Sequence, residues 1–260
     1  MRITLIGSGN VATHLGAALK NAGHYIVQVY SRNQQNAALL AYHLKADAID
    51  DLMMVSAETD LFIISTSDSV IDSVASQLAV HQKPIVHTSG ATPIQVLLKY
   101  TEHAGVFYPL QTFSKIREVN FSMVPLCIEG AYEDLTAMLK ELAYTISSNV
   151  SEVNSAQRKR LHLAAVFACN FPNYLYNIAQ ELLATHQLDF NLMRPLILET
   201  AEKVQFQLPA KVQTGPAIRN DKNTMDAHIH LLDNEPVLKE IYELLSQCII
   251  KMGEGQYRVE

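Results

Sequence analysis

Short apolar runs alternate with helical stretches through the first half of the chain. Arg2–Gly7 reads as a strand, Asn10–Ala22 as a helix, Tyr25–Tyr30 as a second strand and Asn33–Leu44 as a second helix. Leu61–Ser65 is almost continuously apolar, the pattern of a strand covered on both faces in a parallel sheet. Ser69–Ala79 predicts a helix, Pro84–His87, Gly105–Tyr108 and Met123–Glu129 predict strands, and Tyr132 to Ser147 predicts a helix. This β-α-β-α order predicts an α/β domain built on a doubly wound parallel sheet. From Ser155 the pattern changes. Ser155–His186 is helical in period and interrupted only by Pro172, which either kinks the helix or marks its boundary. Phe190–Phe206 and Pro236–Met252 also read as helices, and no strand is expected after Ser151–Val153. The expected organisation is an α/β domain over residues 1–150 and an all-α domain over residues 151–260.

Composition narrows the class. The chain has 260 residues, 48% hydrophobic and 18% charged, with a net charge of −6, which is ordinary for a globular protein able to bury a core. The acidic balance argues against nucleic acid or an anionic membrane as the main partner. Arg158-Lys159-Arg160 is the basic triplet of the sequence and reads as a solvated helix face. Cys127, Cys169 and Cys248 are far apart, make no disulfide or metal-binding spacing, and fit a reducing cytoplasm. No apolar run reaches the ~18 residues of a membrane span, and the first run, Ile3 to Ile6, leads into a glycine turn rather than a secretory pattern.

That glycine turn carries the clearest chemistry. Gly7-Ser8-Gly9-Asn10-Val11-Ala12 has the spacing G-x-G-x-x-A, directly after a strand and at the opening of a helix. The first glycine permits the tight turn, the second leaves the backbone open to a pyrophosphate, and the alanine lets helix and strand pack closely. The helix start then offers free N–H groups and partial positive charge to phosphates. A site for NAD commonly has Asp or Glu at the end of the second strand. Here Ser31 and Arg32 follow Tyr30, and a guanidinium there suits a 2′-phosphate, so the expected cofactor is NADP. Thr66-Ser67-Asp68 and Thr88-Ser89-Gly90 follow later strands and are expected at the same sheet edge. Their small hydroxyl residues, Thr66, Ser67, Thr88 and Ser89, suit a cofactor ribose or amide, and Asp68 reads as the cap of the helix beginning at Ser69. His87, at a strand end, orients a substrate or packs; both readings stand.

The helical half places polar residues on an apolar helix. His162, Cys169 and Asn173 fall within about 20° of one line on a regular helix, with Asn170 beside it and the small Ala165 and Ala168 to one side. Such a face either lines a groove beside a cofactor or packs closely against another helix. His162 and Asn173 are about 16 Å apart along an unbroken helix, so they do not meet at one atom. Thr214-Gly215-Pro216 marks a loop in which Arg219 is the candidate partner for an anionic group, or a surface partner of Asp221. His228 and His230 diverge on a helix, so no metal site is expected.

Taken together, the Gly7–Ala12 turn, Val86-His87-Thr88-Ser89-Gly90, Tyr108-Pro109-Leu110-Gln111-Thr112-Phe113, His162 through Asn170, and Thr214-Gly215-Pro216 with Arg219 and Asp221 resemble a bacterial family. That family joins a Rossmann-like NADP-binding domain to a C-terminal helical domain of unknown function, and the resemblance covers essentially the whole chain. Family members commonly have His where this chain has Tyr108. The wider group is similar to ketopantoate reductase, pyrroline-carboxylate reductase, hydroxyacid dehydrogenases and deazaflavin-dependent NADP oxidoreductases. The resemblance implies a helical domain that closes the active site and mediates a homodimer. The resulting expectation is an NADP-dependent oxidoreductase acting on a small polar carbonyl or imine, with a ketopantoate-like 2-oxo acid as the specific guess. His162 would donate the proton, Asn170 and Asn173 would orient the substrate, and Arg219 would hold a carboxylate. The alternatives are an NADP(H)-binding sensor without catalysis and a reductase that passes hydride to a deazaflavin.

Overall fold

The computed structural model describes residues 1–255. The chain divides into two compact units, Met1–Leu175 and a second beginning at Tyr176.

The first unit holds an eight-stranded sheet in the order β3-β2-β1-β4-β5-β6-β7-β8. In chain order its elements are β1 (Arg2–Ile6), α1 (Asn10–Asn21), β2 (Tyr25–Tyr30), α2 (Gln34–Leu44), β3 (Asp47–Ile49), β4 (Leu61–Ile64), α3 (Asp68–Leu78), β5 (Ile85–His87), α4 (Gln95–Leu98), β6 (Ala104–Pro109), β7 (Leu126–Gly130), α5 (Glu133–Tyr144), β8 (Val150–Glu152), α6 (Ser155–Ala165) and α7 (Phe171–Ala184), the last continuing into the second unit. β1 to β6 are mutually parallel, and β7 enters antiparallel to β6. The switch of direction between β1 and β4 opens the crevice at their carboxyl ends that open parallel sheets use for ligands.

Alternation along the central strands explains the layers. Ile3, Leu5, Leu61 and Ile63 join one apolar cluster with Leu15 and Leu19 of α1, Leu40 and Leu44 of α2, and Leu139 and Leu142 of α5. Ile6, Phe62 and Ile64 point the other way, into a cluster with Ile71, Val74 and Leu78 of α3 and Leu97 of α4. Successive side chains of a strand face opposite sides of a sheet, so a continuous apolar run in β4 is what a sheet covered on both faces requires. The one short strand that the apolar pattern did not reveal is β3. It has three residues with a single buried side chain, too little for a periodic signal.

Helix α6 starts with a capping box between Asn154 and Gln157. It is tied to the sheet by Arg158, which is 1% exposed. Its guanidinium pairs with Glu129 of β7 and donates to the Ser89 and Thr92 carbonyls. The expectation that the 158–160 triplet is a solvated face therefore fails at its first residue. Only Lys159 and Arg160 are exposed.

The second unit contains α8 (Arg194–Phe206), α9 (Pro209–Val212), α10 (Lys222–Leu231) and α11 (Pro236–Gly253), and no strand among its described residues. Asp221 caps α10 through Thr224. Hydrogen bonding to Thr224, first of all, holds the Asp221 carboxyl below the usual range, with the Arg219 charge adding to it. His228 bonds the Tyr242 hydroxyl at 2.9 Å. No helix of the described residues is long and apolar enough to cross a membrane.

Candidate active site

The Gly7–Ala12 turn lies where β1 ends. Gly7 has φ +122°, and a Cβ there would stand 2.4 Å from the Ser65 carbonyl oxygen of the neighbouring strand end. Both the backbone conformation and the close approach exclude a side chain. The opposite holds at Gly9, where a Cβ would meet nothing within 4 Å, so the glycine leaves open space in front of the helix. Ala12 is wholly buried. Gly9 stands at the N-cap of α1 with no side-chain cap, and the first turn has no acidic residue. The N–H groups of Asn10, Val11 and Ala12 make no hydrogen bond to a described residue. An uncapped helix start is an anion site by construction.

A cavity of about 490 Å³ lies against this turn, lined also by Tyr30, Ser31, Arg32, Thr66 and Ser67. Ser65 lines it as well, and its hydroxyl is buried without a partner. Arg32 is exposed and forms no ion pair with a described residue. Free N–H donors, an unpaired guanidinium and an orphaned hydroxyl around one cavity fit a dinucleotide carrying several phosphates.

One further positive group was not foreseen. The segment after β6 passes over the start of α1. Asn10 donates to the Phe113 carbonyl at 2.9 Å, His14 bonds the Ser114 carbonyl at 2.9 Å, and Lys115 donates to the Ser8 carbonyl at 3.0 Å. Phe113 stacks on His14 and on Phe121, with ring centroids 5.0 and 5.9 Å apart. Lys115 lies more than a hundred residues from the glycine turn in sequence, so no local spacing signals it.

The loops after β4 and β5 behave differently. Asp68 is the first residue of α3, whose N-cap is Ser67. Asp68 is thus not the cap, although its charge suits the helix start. Thr88 and Ser89 sit at the expected sheet edge, but their hydroxyls face inward. Thr88 reaches the Ile64 carbonyl at 3.4 Å, and Ser89 Oγ accepts from Ala91 and Thr92 at 3.1 and 2.9 Å. They brace the loop, and neither lines the cavity. His87 is 0% exposed, so the substrate-facing reading gives way to packing. Its Nδ1 accepts from the Ser89 N–H at 3.2 Å, while Nε2 lacks a well-formed partner. Burial, reinforced by the Arg158 charge, pushes its pKa down to about 3, with the Pro93 carbonyl working weakly the other way.

A second cavity, of about 640 Å³, is lined by Tyr108, Gln111, His162, Ala165, Cys169 and Asn170, among others. The helix here is not regular. Val166–Asn170 form a π-turn in which the Phe171 N–H bonds the Val166 carbonyl five residues back. Pro172 follows at once. It has no N–H and its ring collides with the carbonyl four residues earlier in a regular helix, a collision the wider turn relieves. The extra residue rotates everything downstream by about 100°. The line expected through His162, Cys169 and Asn173 is therefore broken. His162, Cys169 and Asn170 line the cavity, whereas Asn173 is exposed and does not. Arg219 belongs to the second unit, is exposed, and makes no ion pair with a described residue.

His162 Nδ1 lies 3.2 Å from the Tyr108 hydroxyl, with the rings edge to face. Burial raises the Tyr108 phenol to about 12, with the Cys127 thiol adding to it.

Two family models and a set of solved structures match the chain. Residues 1–112 match the Rossmann-like domain family, and residues 124–249 match the domain of unknown function DUF2520. A solved structure from Bacteroides fragilis, assigned as an NADP oxidoreductase, is 44% identical, with 96% of this chain and 98% of that chain covered and a TM-score of 0.91. An imine reductase from Myxococcus stipitatus, solved with NADP+, shares 13% identity over 98% of this chain and 95% of its own length at a TM-score of 0.70. The 1-pyrroline-5-carboxylate reductase of Streptococcus pyogenes shares 12% identity over 96% of this chain and 98% of its own, with a TM-score of 0.65. These last two share the fold. No curated protein matches the chain in sequence.

Proposed function

Because the chain belongs to the family that joins a Rossmann-like domain to a DUF2520 domain, we propose that it is an NADP-dependent oxidoreductase acting on a small polar carbonyl or imine. The observation that carries the reading is the pairing of two cavities in the first unit, one at an uncapped helix start with Arg32 and one at His162. The strands that carry Gly7 and Tyr108 are three positions apart in the sheet, about 14 Å at ordinary strand spacing, a span that an extended dinucleotide covers.

Gly7, Ser8, Gly9, Asn10, Val11 and Ala12 hold the pyrophosphate by backbone N–H groups, and Lys115 brings a positive charge to the same end. Ser31 and Arg32 hold the 2′-phosphate, and Thr66 and Ser67 reach the ribose. Bound NADP(H) supplies or accepts the hydride at nicotinamide C4. The chain's own task is then to seat the substrate and manage one proton. His162 faces the substrate heteroatom and carries that proton, Asn170 orients the reacting group, and the apolar wall of Ala165 and Ala168 limits water.

The same reading makes the active form a homodimer. The second unit carries large exposed apolar side chains, among them Phe206 at 83%, Leu231 at 81% and Leu208 at 69%. Among its described residues only Ala217, Met225 and Leu232 are buried apolar side chains. A unit with so thin a core needs a covering partner, and a second copy supplies one.

The test is a pair of measurements on the full chain. Calorimetry should give tighter binding of NADPH than of NADH. His162→Ala should retain that binding and lose turnover by about 10²- to 10⁴-fold, the range of general acid catalysis. Equal turnover in wild type and His162→Ala defeats the assignment of His162. Tighter binding of NADH defeats the cofactor assignment.

A further inference from the structure

Three residues from different parts of the chain meet beside the second cavity. Tyr108 comes from the end of β6, His162 from the last turn of α6, and Gly90 from the loop after β5. A Cβ at residue 90 would lie 2.7 Å from His162 Nδ1 and 2.9 Å from Tyr108 Cζ. Real side chains essentially never approach so closely, so a glycine is what lets the imidazole and the phenol meet.

Their hydrogen bond has a direction. The Tyr108 side chain is 8% exposed, and burial keeps its hydroxyl protonated across the range in which proteins are folded. A buried hydroxyl proton needs an acceptor. His162 Nδ1, at 3.2 Å, is the one partner the hydroxyl has among the described residues. A hydroxyl donating to Nδ1 satisfies that proton, whereas a donating Nδ1 would leave it with no acceptor among the described residues. A neutral imidazole has one N–H, so an accepting Nδ1 puts the proton on Nε2. Nε2 makes no hydrogen bond to a described residue, and His162 lines the cavity with Ala165 and Asn170.

We infer that Tyr108 is a positioning residue that holds His162 as its Nε2–H tautomer, with Gly90 keeping the space in which the two side chains pair. This rests on the reading of His162 as the group that meets the substrate. The consequence is that the cavity is offered a hydrogen-bond donor rather than a lone pair, as polarising a carbonyl or an imine nitrogen requires. Tyr108 itself need not touch the substrate. Its work is to settle which nitrogen carries the proton, as the second partner of a functional histidine does.

The experiment is nitrogen NMR of the full chain labelled at the histidine rings, at a pH where His162 is neutral. The His162 signals are identified by their loss in His162→Gln. In the wild type the proton is expected on Nε2, with Nδ1 bare and displaced in shift as a hydrogen-bond acceptor. In Tyr108→Phe that displacement is lost and the ring relaxes to a mixture of tautomers, and Gly90→Ala gives the same change by driving the rings apart. A wild-type His162 with its proton on Nδ1 overturns the inference, as does an Nδ1 signal unmoved by Tyr108→Phe. The wild-type spectrum decides even where a variant fails to fold. The ring is read without turnover, so an Nε2–H ring with unimpaired turnover in His162→Ala sinks the catalytic reading and leaves the positioning one intact.

Discussion

His87 predicts a specific weakness of the fold toward acid. Its ring is wholly enclosed and its pKa falls from 6.5 to about 3, chiefly through burial. The native pKa lies below the unfolded one, so between these values the unfolded chain binds a proton that the native ring refuses. This group's stability is complete above about pH 6.5, declines as the pH falls through that window, and changes no further below about 3. Each pH unit in the window is worth about 1.4 kcal/mol, so lowering the pH to about 4.5 removes about 3 kcal/mol through this one ring. That is a large part of a typical margin of ~5–15 kcal/mol. The assay is urea denaturation followed by circular dichroism, since the chain has no Trp to report. It is run at about pH 7.5 and about pH 4.5 on the wild type and on His87→Asn. An Asn oxygen stands near where Nδ1 accepts from the Ser89 N–H but does not titrate. The variant starts less stable, because packing is lost, but its acid penalty should be smaller than the wild type's by about 3 kcal/mol. The carboxylates common to both proteins cancel in that comparison. Equal acid penalties would refute the reasoning and place the burden on other groups.

Three further expectations follow from single contacts. Arg32→Gln should weaken NADPH about 10- to 100-fold by calorimetry and leave NADH unchanged, the size of a lost charge-assisted contact. Lys115→Met should weaken NADPH about 3- to 10-fold and flatten the salt dependence of its binding, because an exposed charge acts through a screened field. Arg158→Met, which strands the Glu129 carboxylate against the sheet, should lower unfolding stability by about 3–5 kcal/mol in urea; a loss under about 1 kcal/mol would mean that water reaches Glu129.

The legible parts of the chain were those whose physics is local. The glycine turn declared itself because Gly7, Gly9 and Ala12 each answer a separate steric demand within one strand-turn-helix. The sheet declared itself through continuous apolar runs such as Leu61–Ile64, whose side chains enter both cores. What escaped depends on partners far away in sequence. Arg158 reads as one of three surface cations until Glu129 and the Ser89 and Thr92 carbonyls close around it. Lys115 has no local pattern because its partner is Ser8. The helical line through His162 and Asn173 failed for a different reason. Its arithmetic assumed regular turns, and the π-turn before Pro172 changes the face on which every later residue lies. The proline was visible in the sequence, but its effect on the turn ahead of it was not. Thr88, Ser89 and His87 were placed correctly at a strand end, yet the direction of their side chains is set by the loop they brace.

The central claim is that this chain moves a hydride, and deuterium tests it most directly. NADPH deuterated at nicotinamide C4 is incubated with the full chain and a panel of small 2-oxo acids and cyclic imines, and the products are read by mass spectrometry. The account predicts deuterium on the former carbonyl or imine carbon of at least one substrate class, with the transfer lost in His162→Ala. Tight NADPH binding with no deuterium in any product would contradict it and leave a cofactor-binding sensor in its place.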